Sequence, residues 1–204
     1  QHSFSGAFQV LEGTSIHVTH QFDTDRVISP RMKLGRLYRD QIELLHTGDI
    51  RRIDSGTSFI HAHFHLDRPT TTIVIRTDED PSTRPQFDYT PPGIAVDPFF
   101  GEAHMNRKVQ TTSLLLATQR VRALPAIEEM IACSDLMTTF RVLSLVRSHL
   151  ATQGMGAYFG SSADEERYAH LLDVARQRHG SAIDLCNESL TTNQRRNRVM
   201  NTRR

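Results

Sequence analysis

The segment Ser58-Phe-Ile-His-Ala-His-Phe-His-Leu-Asp67 carries three histidines and an aspartate at alternate positions. Extended chain turns successive side chains to opposite faces, so Phe59, His61, His63, His65 and Asp67 share one face. Ile60, Ala62, Phe64 and Leu66 share the other, which is wholly apolar and suited to packing on a core. Imidazoles at i and i+2 stand roughly 6.5–7 Å apart along a strand and can converge on one ion at about 2.0–2.1 Å each. Three in succession span about 13 Å, too far to share an ion easily. The expected site therefore takes two neighbours from His61, His63 and His65, completed by Asp67 or by a ligand from another strand. Two histidines with a carboxylate, or three histidines, leave positions on Fe(II) open to dioxygen or substrate. Zinc is the alternative ion.

Histidine is enriched where this segment lies: of 11 in the chain, His2, His17, His20, His46, His61, His63, His65 and His104 fall in the first 104 residues. His17, His20 and His46 are the candidates for the remaining ligand. His17 would share its face with the polar Thr19 and Gln21, whereas His20 alternates with Val18 and Phe22, which favours His17. The next apolar run, Thr71–Thr77, is expected to form a hairpin with the histidine strand through an even loop. That register sets His65 against Thr72, His63 against Val74 and His61 against Arg76, and keeps Phe64 beside Ile73 on the apolar face. Arg76, flanking His61, could then hold a substrate carboxylate through a bidentate pair. Asp67 is equally suited to capping its own turn.

The elements that must position these residues come from the first half of the chain. Ala7–Leu11, Ile16–Phe22, Gln41–Leu45, Asp49–Ile53, Phe59–Leu66 and Thr71–Thr77 read as short strands, separated by turn formers such as Glu12-Gly13, Ser29-Pro30 and Asp54-Ser55-Gly56. Their spacing predicts an antiparallel sandwich or barrel and not βαβ units. Asp78 to Pro98 contains six prolines or glycines (Pro81, Pro85, Pro91, Pro92, Gly93 and Pro98) and reads as a linker or as a loop closing over a pocket. From about Asn106 the period becomes helical. Ser134 is the expected cap of a helix to Leu150, and Ser162-Ala-Asp-Glu165 has capping-box spacing before the stripe Tyr168, Leu171, Leu172 and Ala175. The expected organisation is α+β: an antiparallel β-barrel-like domain over residues 1–104, then a helical region over 105–204 packing on it.

Composition narrows the function classes. With 204 residues, 38% hydrophobic and 23% charged, the chain can build a core without disulfide or metal staples. No apolar run reaches the roughly 18–20 residues that cross a bilayer, so no membrane partner is expected. Cys133 and Cys186 lack a CxxC partner and read as buried free thiols, which points to a reducing, cytoplasmic compartment. Residues 1–104 carry 10 Lys+Arg against 14 Asp+Glu, and residues 105–204 carry 14 against 9. The basic run Arg195, Arg196, Arg198, Arg203 and Arg204 suits phosphate contacts, but it has no interleaved aromatics, so nucleic acid is not the expected partner.

Gly56 followed by the pair His63 and His65, with Asp67 after it, resembles the first motif of the cupin (double-stranded β-helix) superfamily. That motif has a glycine turn, five or six residues, HxH and then an acid. The likeness covers about residues 40–80; the acid here follows His65 by two positions, and Pro92-Gly93 is followed by His104 at too great a distance to supply the second motif. The resemblance implies a metal-centred pocket in a β-barrel. Together these readings predict a non-haem iron oxygenase acting on a small carboxylate-bearing molecule, with Arg76 orienting it and a homodimer allowed. The alternative is a non-catalytic small-molecule-binding or regulatory module of the same fold.

Overall fold

The computed structural model describes residues 1–119, 123–152 and 162–201. The chain divides into two compact units, Gln1–Phe99 and Phe100–Arg204. The first is built of strands: β1 (Gly6–Glu12), β2 (Ser15–Ser29), β3 (Met32–Leu45), β4 (Ile50–Ile53), β5 (Ile60–His65), β6 (Thr71–Arg76), β7 (Asp88–Thr90) and β8 (Ile94–Val96). They form two antiparallel sheets, one ordered β4-β1-β6 and the other β5-β2-β3-β8-β7, and these do not close into a barrel. Inward-facing Phe8 and Val10 of β1, Leu45 of β3 and Ile53 of β4 make the core between the sheets, with Phe4 and Phe59 packed against it.

Within this unit, besides the open barrel, four further sequence expectations change. First, β6 does not pair with β5. It pairs with β1, setting Arg76 opposite Gly6 and Val74 opposite Phe8, while β5 pairs with β2. Pairing with β1 sets Thr72, Val74 and Arg76 on the face of Val10 and Phe8, while Ile73 and Ile75, expected on a buried apolar face, are 46% and 74% exposed. Second, the apolar back of β5 is covered only in part: Ile60 is buried, Phe64 half-buried and Leu66 54% exposed. Third, the proline-rich stretch is no plain linker, because β7 and β8 pair there and β8 joins β3. The prolines lie outside those three-residue strands, so no ladder donor is lost. Gly93 has to be glycine: a Cβ there would fall 1.6 Å from the Gly35 carbonyl oxygen, where the Gly35 amide donates to Gly93 O at 2.9 Å. Fourth, β2 and β3 run on as a long hairpin through residues 23–40, which the sequence did not mark as strand.

The second unit holds α1 (Ala103–Gln119), α2 (Leu124–Ala132), α3 (Leu136–Thr152), α4 (Ser162–His179) and α5 (Ala182–Asn201). Tyr168, Leu171, Leu172 and Ala175 are buried as the helical stripe predicts. The cap of α3 is Asp135 and not Ser134: the Thr138 amide donates to Asp135 Oδ1 at 3.0 Å, while Ser134 Oγ accepts from Lys108 Nζ at 2.8 Å. Of the two thiols only Cys186 is buried; Cys133 is exposed. The capping-box side chain of Ser162 and the side chains of the terminal arginines lie outside the described residues. No helix among the described residues is long and apolar enough to cross a membrane.

Candidate functional site

Directly opposed residues of an antiparallel pair share a face. The ladder sets Ser15, His17 and Thr19 of β2 against His65, His63 and His61 of β5, and His17 against Glu43 of β3. This row turns inward. Phe8 of the opposite sheet meets the rings of His17, His61 and His63 with centroids 5.4, 6.2 and 5.2 Å away. His17 is 2% exposed, and Phe59 packs on His61 at 4.5 Å.

A continuous hydrogen-bonded chain crosses this interior. Arg51 of β4 grips Glu43, with Nε 2.9 Å from both carboxylate oxygens and Nη2 2.5 Å from Oε2. Glu43 Oε1 lies 2.8 Å from His17 Nδ1, His17 Nε2 lies 3.0 Å from His61 Nδ1, and His61 Nε2 lies 2.8 Å from His2 Nε2. Hydrogen bonding to Arg51 holds the Glu43 carboxyl down at about 2, so near neutrality it is an acceptor only. His17 must then donate from Nδ1; as a neutral imidazole it keeps a lone pair on Nε2 for the His61 Nδ1–H, and the tautomer of each ring follows in turn. Burial, reinforced by the neighbouring imidazoles, pushes His61 down to about 3. Burial also lowers His63 and His2. Burial therefore favours the neutral ring at His61, His63 and His2, and the Glu43–Arg51 ion pair closes the chain at its other end.

The residues expected from sequence are dispersed along this face. His17, His61 and His63 gather at its centre. His65 lies at the exposed end, with Nδ1 3.0 Å from Ser15 Oγ. Asp67 is exposed and accepts from the Thr14 amide at 2.7 Å, joining two loops. Arg76 sits 4.9 Å over the Phe4 ring, and Phe4 stacks on His2 at 4.6 Å. Arg76 thus flanks the site through β1 and not through β5.

Three participants escaped the sequence reading. Glu43 could have been found, since Gln41-Ile-Glu-Leu-Leu45 puts it on the same strand face as Leu45. Arg51 and His2 carried no signal. His2 is delivered by an isolated bridge to Gly56, whose φ of +84° makes the turn before β5 and whose amide donates to His2 O at 2.8 Å.

A metal fits this donor set in part. Two cis nitrogens on an ion at roughly 2.1 Å stand about 3 Å apart, and the His17 Nε2–His61 Nδ1 separation is 3.0 Å. Glu43 on the far nitrogen of His17 is the carboxylate partner that orients metal-binding imidazoles. His63 Nε2 is buried without a hydrogen-bond partner, and its ring centre lies 6.1 Å from that of His17. Among the described residues, no three His, Cys, Asp or Glu side chains stand in ligand geometry as they are, so a third ligand requires His63 to turn. Comparison with known proteins finds no matching family model, no matching curated protein and no matching solved structure.

Proposed function

We propose that His17, His61 and His63 hold a divalent ion, Fe(II) in the first instance, and that the protein is a cupin-like, metal-dependent oxygenase acting on a small carboxylate-bearing molecule. The observation that carries this reading is the inward pair of imidazole nitrogens, His17 Nε2 and His61 Nδ1, 3.0 Å apart and backed by Glu43. Bound there, Fe(II) would supply open positions for dioxygen and substrate. Glu43 keeps the His17 proton on Nδ1 and so keeps Nε2 available. His61 would free its Nδ1 by carrying its proton on Nε2 instead, with His2 carrying its own proton on Nδ1 so that His2 Nε2 accepts, and the ligand pair needs no net loss of charge. Phe8 and Phe59 pack against the rings, and Arg76, over the Phe4 ring at the His2 end, would receive the substrate carboxylate.

A second reading, a ligand-binding module without turnover, draws support from the same chain, because His2, His17 and His61 already satisfy one another without an ion. Metal content by mass spectrometry on protein made without a histidine tag separates the two. About one ion per chain in the wild type, absent from a His17→Ala/His61→Ala variant that remains folded, is the result expected of the metal centre. Equal content in both sinks it and leaves the binding module.

A further inference from the structure

The sheet β4-β1-β6 ends on β6. An edge strand offers its unpaired N–H and C=O groups to any passing chain, and proteins guard such edges with charge, proline, bulges or brevity. The other edges follow that rule. β4 is four residues long and carries Arg51 and Arg52, β7 is three residues long, and β5 keeps its apolar residues buried or half-buried. β6 is different. Its sequence, Thr71-Thr-Ile-Val-Ile-Arg76, holds no proline and no charge before the last residue, and Ile73, Val74 and Ile75 are all exposed.

Pairing with β1 fixes which backbone groups are left over. The Thr77 amide donates to Ser5 O at 2.9 Å, and a Cβ on Gly6 would fall 2.2 Å from Ile75 O. Thr77 and Ile75 therefore aim their backbone groups at β1, and by alternation so does Ile73. Thr72, Val74 and Arg76 aim theirs at the open edge. The side chains of these three share the face of Val10 and Phe8, which leaves Ile73 and Ile75 on the outer face. Any strand that adds here has to match both alternations.

We infer that the occupant is a second copy of this chain, whose own β6 lies antiparallel about a two-fold axis at Val74. In that register Val74 meets Val74, Thr72 meets Arg76 and Ile73 meets Ile75. Each opposed pair among the outward-aimed residues exchanges two N–H···O bonds, and the outer face sets isoleucine against isoleucine. A slip of one residue mismatches both alternations. The next registers on either side match them but set Ile75 against Thr71, or Ile73 against Thr77. Charge at the flanks selects the same orientation. Arg68 precedes β6 and Asp78-Glu79-Asp80 follow it, so antiparallel pairing brings Arg68 of each copy toward the acids of the other, whereas parallel pairing sets acids beside acids. Such a contact is isologous and closes at two copies. The product is one continuous sheet ordered β4-β1-β6-β6-β1-β4.

Sedimentation velocity on the whole chain over roughly 1–100 μM should show a monomer–dimer equilibrium and nothing larger. Val74→Pro removes an N–H that β1 does not use, a change an edge strand tolerates, and should weaken the dimer at least about tenfold. Ile73→Lys should weaken it too, and Ile73→Lys/Ile75→Glu should restore it, because this register sets the two new charges opposite each other across the axis. Hydrogen exchange at the amides of Thr72, Val74 and Arg76 should slow as concentration rises, while those of Ile73 and Ile75 are slow at every concentration. A monomer throughout that range, or an assembly that grows past two copies, overturns the proposal. So does a dimer that Val74→Pro leaves unchanged or that the charge pair fails to restore. Slow exchange at Thr72, Val74 and Arg76 in the monomer overturns it as well, and would mean that another part of the chain covers this edge.

Discussion

Each imidazole in the row is fixed by the next, and the anchor is a carboxylate that cannot be protonated under ordinary conditions. Removing that anchor should be felt at the nitrogen on the other side of the His17 ring. Glu43→Gln can present an amide N–H where an acceptor is needed, turning the His17 proton toward Nε2. Metal affinity should then fall by about 10–100-fold, read by competition with a chelating dye. The same row predicts how stability depends on acid. His61 titrates at about 3 in the folded chain, against 6.5 when unfolded, because burial and its neighbouring rings oppose charge. The unfolded state therefore binds more protons below 6.5, and stability falls as the pH drops from there toward 3. Glu43, held at about 2 against an ordinary 4.5, adds a second loss that begins only as the pH falls through 4.5. Urea melts from pH 7 to pH 4.5 should show the first loss in wild type and a flatter profile in His61→Gln. A parallel profile in the variant would mean that His61 is not the group responsible.

At the level of elements, what could be read in the sequence was whatever repeats locally. The alternation of His61, His63 and His65 with Ile60, Ala62 and Phe64 gave away a two-faced strand, and His17 was placed on the matching face of its neighbour. The partner of β6 was hidden because hairpin logic favours the adjacent strand, and nothing local in Thr71–Arg76 distinguishes β5 from β1. The outer part of the β2–β3 hairpin was hidden for another reason: Asp23-Thr-Asp-Arg26 and Arg36–Asp40 are largely exposed, so no hydrophobic alternation marks them. The close approach of β8 to β3 gives the sharpest test of the five-stranded sheet. Gly93→Ala would drive a methyl into the Gly35 carbonyl, and backbone cannot yield as a side-chain tip would. A loss of about 3 kcal/mol or more is expected by chemical denaturation; a loss under about 1 kcal/mol would contradict this strand packing.

On the scale of the whole molecule, the chemistry is confined to one of two units. Every residue of the hydrogen-bonded chain, from Arg51 to His2, lies within Gln1–Phe99, and the helical unit Phe100–Arg204 contributes none of them. The second unit has a core of its own in Ile127, Leu143, Leu171 and Ile183, all fully buried. If the units are energetically separate as well, damage to one should leave the other's site intact. Leu143→Ala opens a cavity in the helical core and should cost about 2–5 kcal/mol, seen as an earlier helical transition by far-ultraviolet circular dichroism. Below that transition, the metal content of the variant should equal that of the wild type. A matching fall would show that the helices hold the strands in their working geometry, and that the histidine row is not a property of the first unit alone.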